Sequence, residues 1–217
     1  LENVIVFDGC SGHKPDFDNG MITENGRASY STDVLENSHI MGYVNRHPKN
    51  IIMLTCDAFG VLPPVAKLTP DEAVEHFLLG YTAKVAGTEQ GIKEPVPVFS
   101  PCFGEPFMPL KPQYYADILK EKIEKHDVNC WLVNTGWTAG GYGEGKRISL
   151  KTTRTIIQSI LDGSMDKCVT IKHAKTELSI PLATSVSRKE LIPELGWECK
   201  VKYNQAANKL MDMMRSK

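Results

Sequence analysis

Ile51-Ile52-Met53-Leu54-Thr55, running into Cys56-Asp57-Ala58-Phe59-Gly60 and the pair Pro63-Pro64, is the stretch on which the fold turns. An unbroken apolar run of this length, without polar alternation, reads as a buried strand, and the two prolines end regular structure after it. The loop that leaves the end of a central strand is a usual place for function. A second run of the same kind, Cys130-Trp131-Leu132-Val133-Asn134, follows a stretch from Pro112 to His126 in which Tyr115, Ile118, Leu119 and Ile123 recur near helical spacing. Helix followed by buried strand implies α/β layering.

Other elements extend outward from these two strands. Thr69-Pro70-Asp71-Glu72 is a helix start, with Thr69 as N-cap, Pro70 in the first position and Glu72 placed to complete a capping box. The pattern predicts that this helix runs to about Lys84. Val85 to Pro97 carries Gly87, Gly91, Pro95 and Pro97 without periodicity, which describes a loop of the length that serves as a lid. Ser149 to Leu161 is an amphipathic helix through Thr152, Thr155, Ile156 and Ile160, closed by Asp162-Gly163. Residues 164 to 195 mix short strands and turns, and Tyr203 to Arg215 forms a last helix with Leu210, Met211 and Met214 on one side. Residues 1 to 50 alternate short strand-like runs with turn chemistry, as in Val4-Ile5-Val6-Phe7 before Asp8-Gly9, so this part is β-rich and suited to hairpins. The expectation is an α/β fold with a mixed sheet, flanking helices and a β-rich N-terminal part.

A chain of 217 residues can bury a proper core, and 41% hydrophobic and 24% charged residues with a net charge of -1 place it among ordinary soluble proteins. That balance gives no field favouring nucleic acid or an anionic membrane surface. The longest apolar runs fall far below the roughly 20 residues needed to cross a bilayer, so no membrane partner is expected. The six cysteines form no C-x-x-C pair and read as free thiols in a reducing compartment, which points to a cytoplasmic protein. The chain opens at Leu1 inside a strand-like run and reads as a piece of something longer.

Two features carry candidate chemistry. Gly140-Gly141-Tyr142-Gly143-Glu144-Gly145-Lys146-Arg147 follows a strand and precedes a helix, as a phosphate loop does, but Arg147 stands where such a loop needs a hydroxyl for Mg²⁺. The segment is either an anion site at a helix N-terminus or a plain glycine turn with two solvated cations. Arg27 is the other candidate, because a guanidinium can hold carboxylate or phosphate with two prongs; the bland reading is a surface arginine paired with Glu24. The six histidines show no metal-ligand spacing. Ser100 and Ser149 lack a nucleophile elbow, so a hydrolase has little support.

Glu24-Asn25-Gly26-Arg27, the block from Leu54 to Pro64, Tyr81 to Glu89, Asn134-Thr135-Gly136-Trp137 and Gly145-Lys146-Arg147-Ile148-Ser149 together resemble ATP-dependent phosphoenolpyruvate carboxykinase. The resemblance runs in register from residue 1 to about residue 165 and loosens afterwards. It implies that residues 1–217 form the carboxy-terminal, nucleotide-binding and lid-carrying part of such an enzyme, which converts oxaloacetate and ATP to phosphoenolpyruvate, ADP and CO₂ in gluconeogenesis. It also implies Mg²⁺ and Mn²⁺ whose ligands, like the phosphate loop, belong to a missing N-terminal half. By the same resemblance Arg27 bridges the γ-phosphate and oxaloacetate as the catalytic and substrate-binding residue. Arg147 and Ile148 flank the adenine, Thr153 lies beside it, and the lid falls on roughly 80–97. Gly26 stands where the family usually has threonine and Pro101 where alanine is usual; neither change removes a functional group. Two rival readings are a catalytically incomplete nucleotide-binding fragment or interaction module, and a kinase of another type using Gly140 to Lys146 for phosphate.

Overall fold

The computed structural model describes residues 46–86, 91–183 and 185–217, residues 33, 35, 36 and 38, and the backbone of two short strands near the N-terminus. The chain divides into two units, Leu1–His47 with Lys84–Pro95, and Pro48–Ala83 with Val96–Lys217. In the first unit β1 (Val6–Phe7) runs antiparallel to β2 (Pro15–Asp16), with Val6 opposite Asp16. That pairing agrees with the hairpin reading of this part.

The second unit is built on a five-stranded mixed sheet in the order β10-β11-β4-β7-β3. Its strands are β3 (Asn50–Thr55), β4 (Val65–Leu68), β7 (Asn129–Asn134), β10 (Thr170–Lys172) and β11 (Ser179–Pro181). The two apolar runs that decided the fold lie side by side and parallel, Ile52 opposite Trp131 and Leu54 opposite Val133, while β4 pairs antiparallel with the other side of β7. Alternate side chains of β7 enter opposite cores, as a strand's period of two requires. Cys130 and Leu132 meet Met53, Leu62, Ala73, Ile123, Tyr203, Ala207 and Leu210 on one face. Trp131 and Val133 meet Val65, Ile156, Ile160, Met165 and Leu191 on the other. Helices α1 (Pro70–Leu79), α2 (Pro112–His126) and α6 (Lys200–Arg215) supply the first core, and α3 (Leu150–Leu161) the second. Two single-turn helices, α4 (Arg188–Leu191) and α5 (Pro193–Gly196), lie between β11 and α6.

The capping box of α1 forms as expected: Glu72 N–H donates to the Thr69 hydroxyl, and Thr69 N–H donates to Glu72 Oε2 at 2.8 Å. The helix stops at Leu79, short of Lys84. Gly80 takes φ 53°, a left-handed cap that ends a helix and that glycine adopts without penalty. A Cβ there would stand 1.7 Å from the Ser100 carbonyl oxygen. Tyr81–Lys84 instead forms β5, neighbour of β6 (Val96–Phe99) in a two-stranded ribbon. Aromatic and β-branched residues at 81 and 82 favour a strand, and the Thr55 hydroxyl donates to the Tyr81 carbonyl at 2.7 Å. Val96 and Pro97, at the end of the predicted loop, thus belong to a strand as well. The last helix begins at Lys200 and buries Tyr203, Ala207 and Leu210. Cys56, Cys102, Cys130, Cys168 and Cys199 are free thiols, and no helix among the described residues is long and apolar enough to cross a membrane.

His173 ties the strand region to α6. Its ring nitrogens lie 2.7 Å from the Thr176 hydroxyl and 2.7 Å from the Tyr203 hydroxyl, and the residue is 3% exposed. Burial pushes its pKa down to about 4. The fold therefore favours the neutral ring: this stabilisation is complete above the ordinary histidine value near 6.5 and is lost as pH falls from there toward 4. The loss amounts to about 3 kcal/mol. Thermal melting between pH 7 and 4 should show this decline, and His173→Gln should flatten that part of the profile. An unchanged slope in the variant would remove His173 as its source.

Candidate functional site

The chain leaves β3 through a corner organised by Asp57, which is 0% exposed. Asp57 Oδ1 accepts from Phe59 N–H at 2.8 Å and the Tyr81 hydroxyl at 2.9 Å; Oδ2 accepts from Val61 and Leu62 N–H at 2.7 and 2.8 Å. Burial raises the pKa of the carboxyl while these four donors oppose the rise. Asn134, at the end of the parallel neighbour, completes the corner. Its Oδ1 accepts from Asp57 and Gly136 N–H at 3.0 and 2.8 Å, and its Nδ2 donates to the Leu62 carbonyl at 2.9 Å. Three of the four donors to this carboxylate are the loop's own backbone N–H groups and the fourth is the Tyr81 hydroxyl, so Asp57 is framework and not a general base. Nearby, burial raises the Cys56 thiol above its ordinary value, against the opposing pull of Arg147, which argues against a thiolate nucleophile.

Gly136 lets the second chain segment cross this corner, for a Cβ there would lie 2.1 Å from the Asp57 carbonyl oxygen. Past it, β8 (Trp137–Thr138) pairs antiparallel with β9 (Lys146–Arg147), setting Trp137 opposite Arg147. The glycine-rich run between them is a turn packed on the corner. Tyr142 N–H donates to the Ala58 carbonyl at 2.8 Å, and Glu144 and Gly145 N–H donate to the Gly141 carbonyl at 3.1 and 2.7 Å. Three of its N–H groups are thus taken up by backbone carbonyls, which favours the plain turn over a phosphate cradle.

Arg147 lies with its guanidinium carbon 4.7 Å from the centroid of the Trp137 ring, and its Nε donates to the Thr135 carbonyl at 2.9 Å. A flat cation is thereby fixed above an aromatic face. Ile148 follows, 8% exposed, its N–H on the Gly136 carbonyl at 2.8 Å, and Ser149 caps α3 by accepting from Thr152 N–H at 3.0 Å. Arg147 and Ile148 line one cleft of about 110 Å³ with Thr138, Ser149, Thr152 and Glu190. A ligand pocket for a whole small molecule runs to roughly 300–1,000 Å³, so this cleft suits one part of a ligand. Glu190 Oε1 accepts from the Thr152 hydroxyl at 3.1 Å and Oε2 from the Ser187 hydroxyl at 2.8 Å. Those bonds, Ser187 foremost, hold its carboxyl below its ordinary pKa.

Of the four residues expected to act, Arg147 and Ile148 come together in the cleft. Thr153 sits half-buried in the first turn of α3, its N–H on the Ser149 carbonyl at 3.0 Å, and its neighbour Thr152 forms the wall. Arg27 lies outside the described residues, and so do residues 87–90 of the expected lid. Glu190 is not singled out by the sequence, and Trp137 stands in a quoted motif without a role. Trp137 had a signal, because Trp137-Thr138 and Lys146-Arg147 flank the glycine run like the arms of a hairpin; Glu190 had none in its own neighbourhood.

The chain matches the family described as Phosphoenolpyruvate carboxykinase over residues 1–189. It belongs to the phosphoenolpyruvate carboxykinase family. A Phosphoenolpyruvate carboxykinase (ATP) of Brucella suis is 48% identical over 217 residues, all of this chain and 40% of the relative. The protein of that name from Cereibacter sphaeroides is 49% identical over 199 residues, 91% of this chain and 37% of the relative, and that from Rhizobium etli is 47% identical over 214 residues, 98% and 39%. The chain thus spans about 40% of the length of these curated relatives, and the phosphoenolpyruvate carboxykinase likeness persists beyond residue 165. The family implies ATP and a divalent metal. Among the described residues no group of three or more histidine, cysteine, aspartate or glutamate side chains could hold a metal ion. These described residues do not fit the metal site.

Proposed function

We propose that this chain supplies the base-binding wall of the ATP site in an enzyme that decarboxylates and phosphorylates oxaloacetate to phosphoenolpyruvate, with ADP and CO₂ as the other products, in the cytoplasm. The observation that carries the reading is the Arg147 guanidinium held over Trp137 and lining a small cleft together with Ile148. A planar cation whose plane is fixed by one aromatic ring can stack on the face of a second π-system, and an apolar floor suits the face of a purine. In this assignment Arg147 and Ile148 flank the adenine, with Thr153 beside it on α3. Arg27, by its place in the family motif, bridges the γ-phosphate and oxaloacetate. Charge spread over the γ oxygens during transfer is what a bridging guanidinium neutralises. The stretch at 80–97 acts as the lid that keeps water from the reactive enolate. Mg²⁺ and Mn²⁺ are held by the remainder of the enzyme, which is this chain's principal partner.

One second reading has a specific observation behind it. The chain covers 40% of its relatives and its described residues offer no metal group, so by itself it should bind nucleotide without turning over oxaloacetate. Equilibrium dialysis with ATP tests the cleft in either case. The 217-residue chain should bind ATP saturably, and Arg147→Ala should weaken binding by about tenfold, equivalent to roughly 1.4 kcal/mol of stacking and charge. Equal binding by the variant would place the base elsewhere.

A further inference from the structure

The carboxylate of Glu190 reaches the cleft from a distant part of the chain. It stands in the single turn of α4, and two hydroxyls fix it: Thr152 of α3 donates to Oε1 at 3.1 Å and Ser187 donates to Oε2 at 2.8 Å. Glu190 N–H in turn donates to the Ser187 hydroxyl at 3.3 Å, which ties side chain and backbone together. An acid with each oxygen tethered in this way keeps one orientation. Its ordering accompanies folding and does not oppose ligand binding.

The hydroxyl hydrogens at this wall are already committed. Thr152 gives its hydrogen to Glu190, so in the 2.8 Å contact between the Thr152 and Ser149 hydroxyls it is Ser149 that donates. Neither of these two hydroxyls has a hydrogen left for a ligand. A carboxylate offers about four lone-pair sites, and Thr152 and Ser187 occupy one on each oxygen. Glu190 is exposed, and among the described residues it is the one acidic side chain lining the cleft, where Lys146 and Arg147 are the cations. A ligand group that meets Glu190 must therefore bring its own N–H. The adenine ring, joined to its sugar, carries one such group, the exocyclic amine.

We propose that Glu190 accepts a hydrogen bond from the exocyclic amine of the adenine and so makes the site prefer bases that carry that amine. This role depends on the base lying against Arg147 and Ile148, as assigned under the proposed function. The cleft of about 110 Å³ holds one part of a ligand, and the amine edge of a base stacked on the Arg147 plane is a part of that size. A bond to a carboxylate is roughly twice as strong as one to a neutral acceptor. Exposure to water limits the preference: a base without the amine leaves Glu190 hydrated and not stranded. The discrimination is therefore about tenfold, well short of the roughly ten-thousandfold that a buried reader gives.

The test is binding of ATP, and of purine riboside triphosphate, which lacks only the amine, to the full-length carboxykinase carrying this sequence and to its Glu190→Ala and Arg147→Ala variants. Wild type should bind ATP about tenfold tighter than the analogue, Glu190→Ala should bind the two alike, and Arg147→Ala should weaken both. A wild-type enzyme that binds the two nucleotides alike overturns the proposal without recourse to any variant. So does a Glu190→Ala variant that keeps the tenfold ratio, even if it binds both more weakly, because loss of the tether between α3 and α4 would weaken the two together. An Arg147→Ala variant that binds ATP as wild type does is a separate failure: it removes the base from this wall, and the role of Glu190 with it.

Discussion

Asp57→Ala is expected to unfold this chain about 3 to 5 kcal/mol more easily than wild type, a fall of roughly 6 to 20 °C in melting temperature for a domain of this size. The reason is the number of donors that lose their acceptor at once. Phe59, Val61 and Leu62 N–H and the Tyr81 hydroxyl all point at one carboxylate, and Val61 and Leu62 are 0% and 2% exposed, beyond easy reach of water. Each buried donor left unsatisfied costs about 1 to 3 kcal/mol, and partial relaxation brings the sum below the simple total. Tyr81→Phe removes only one of the four donors and should cost about 1 kcal/mol. If both variants melt alike, the carboxylate does not organise the corner. The damage should extend to ATP binding, because Trp137 N–H is held at 2.8 Å by the Asp57 carbonyl and Trp137 positions Arg147.

Arg27→Lys in the full-length enzyme is the second large effect, and it should lower kcat by roughly tenfold to over a hundredfold although it keeps the charge. In the proposed role one rigid guanidinium plane contacts the γ-phosphate and the oxaloacetate through separate N–H groups. An ammonium on a flexible stem makes at best one of those contacts, and each charge-assisted hydrogen bond lost is worth about 1.5 to 3 kcal/mol. The contact strengthens as charge develops on the transferred group, so the loss falls mainly on kcat. A surface arginine paired with Glu24 would instead change stability by at most about 1 kcal/mol and leave kinetics intact. Steady-state rates, with melting as a control for folding, separate the two.

The parts of the fold legible in the sequence are those fixed by local pattern. Two unbroken apolar runs became the parallel pair β3 and β7, and Thr69 through Glu72 formed its capping box where the spacing placed it. The end of α1 is not legible locally, because Tyr81 to Lys84 can continue a helical pattern; the left-handed Gly80 and the bond from Thr55 to Tyr81, twenty-six residues away in sequence, decide for a strand. The site divides the same way. Arg147 and Ile148 could be found through contiguous motif residues, whereas Glu190 reaches the cleft only because α4 folds back on α3, a pairing over 38 residues that no local period encodes. Asp57 stood in the quoted block without a role, since its four partners lie on backbone atoms and on Tyr81.

If the wall formed by Arg147 and Ile148 holds the base of ATP, the KM for ATP of full-length Arg147→Ala reports its loss. Contact with the base is the same in ground and transition states, so its loss weakens binding without slowing chemistry. The KM for ATP should rise by about tenfold or more, with kcat at saturating ATP within roughly threefold of wild type. An unchanged KM, or a large fall in kcat at saturating ATP, would contradict it.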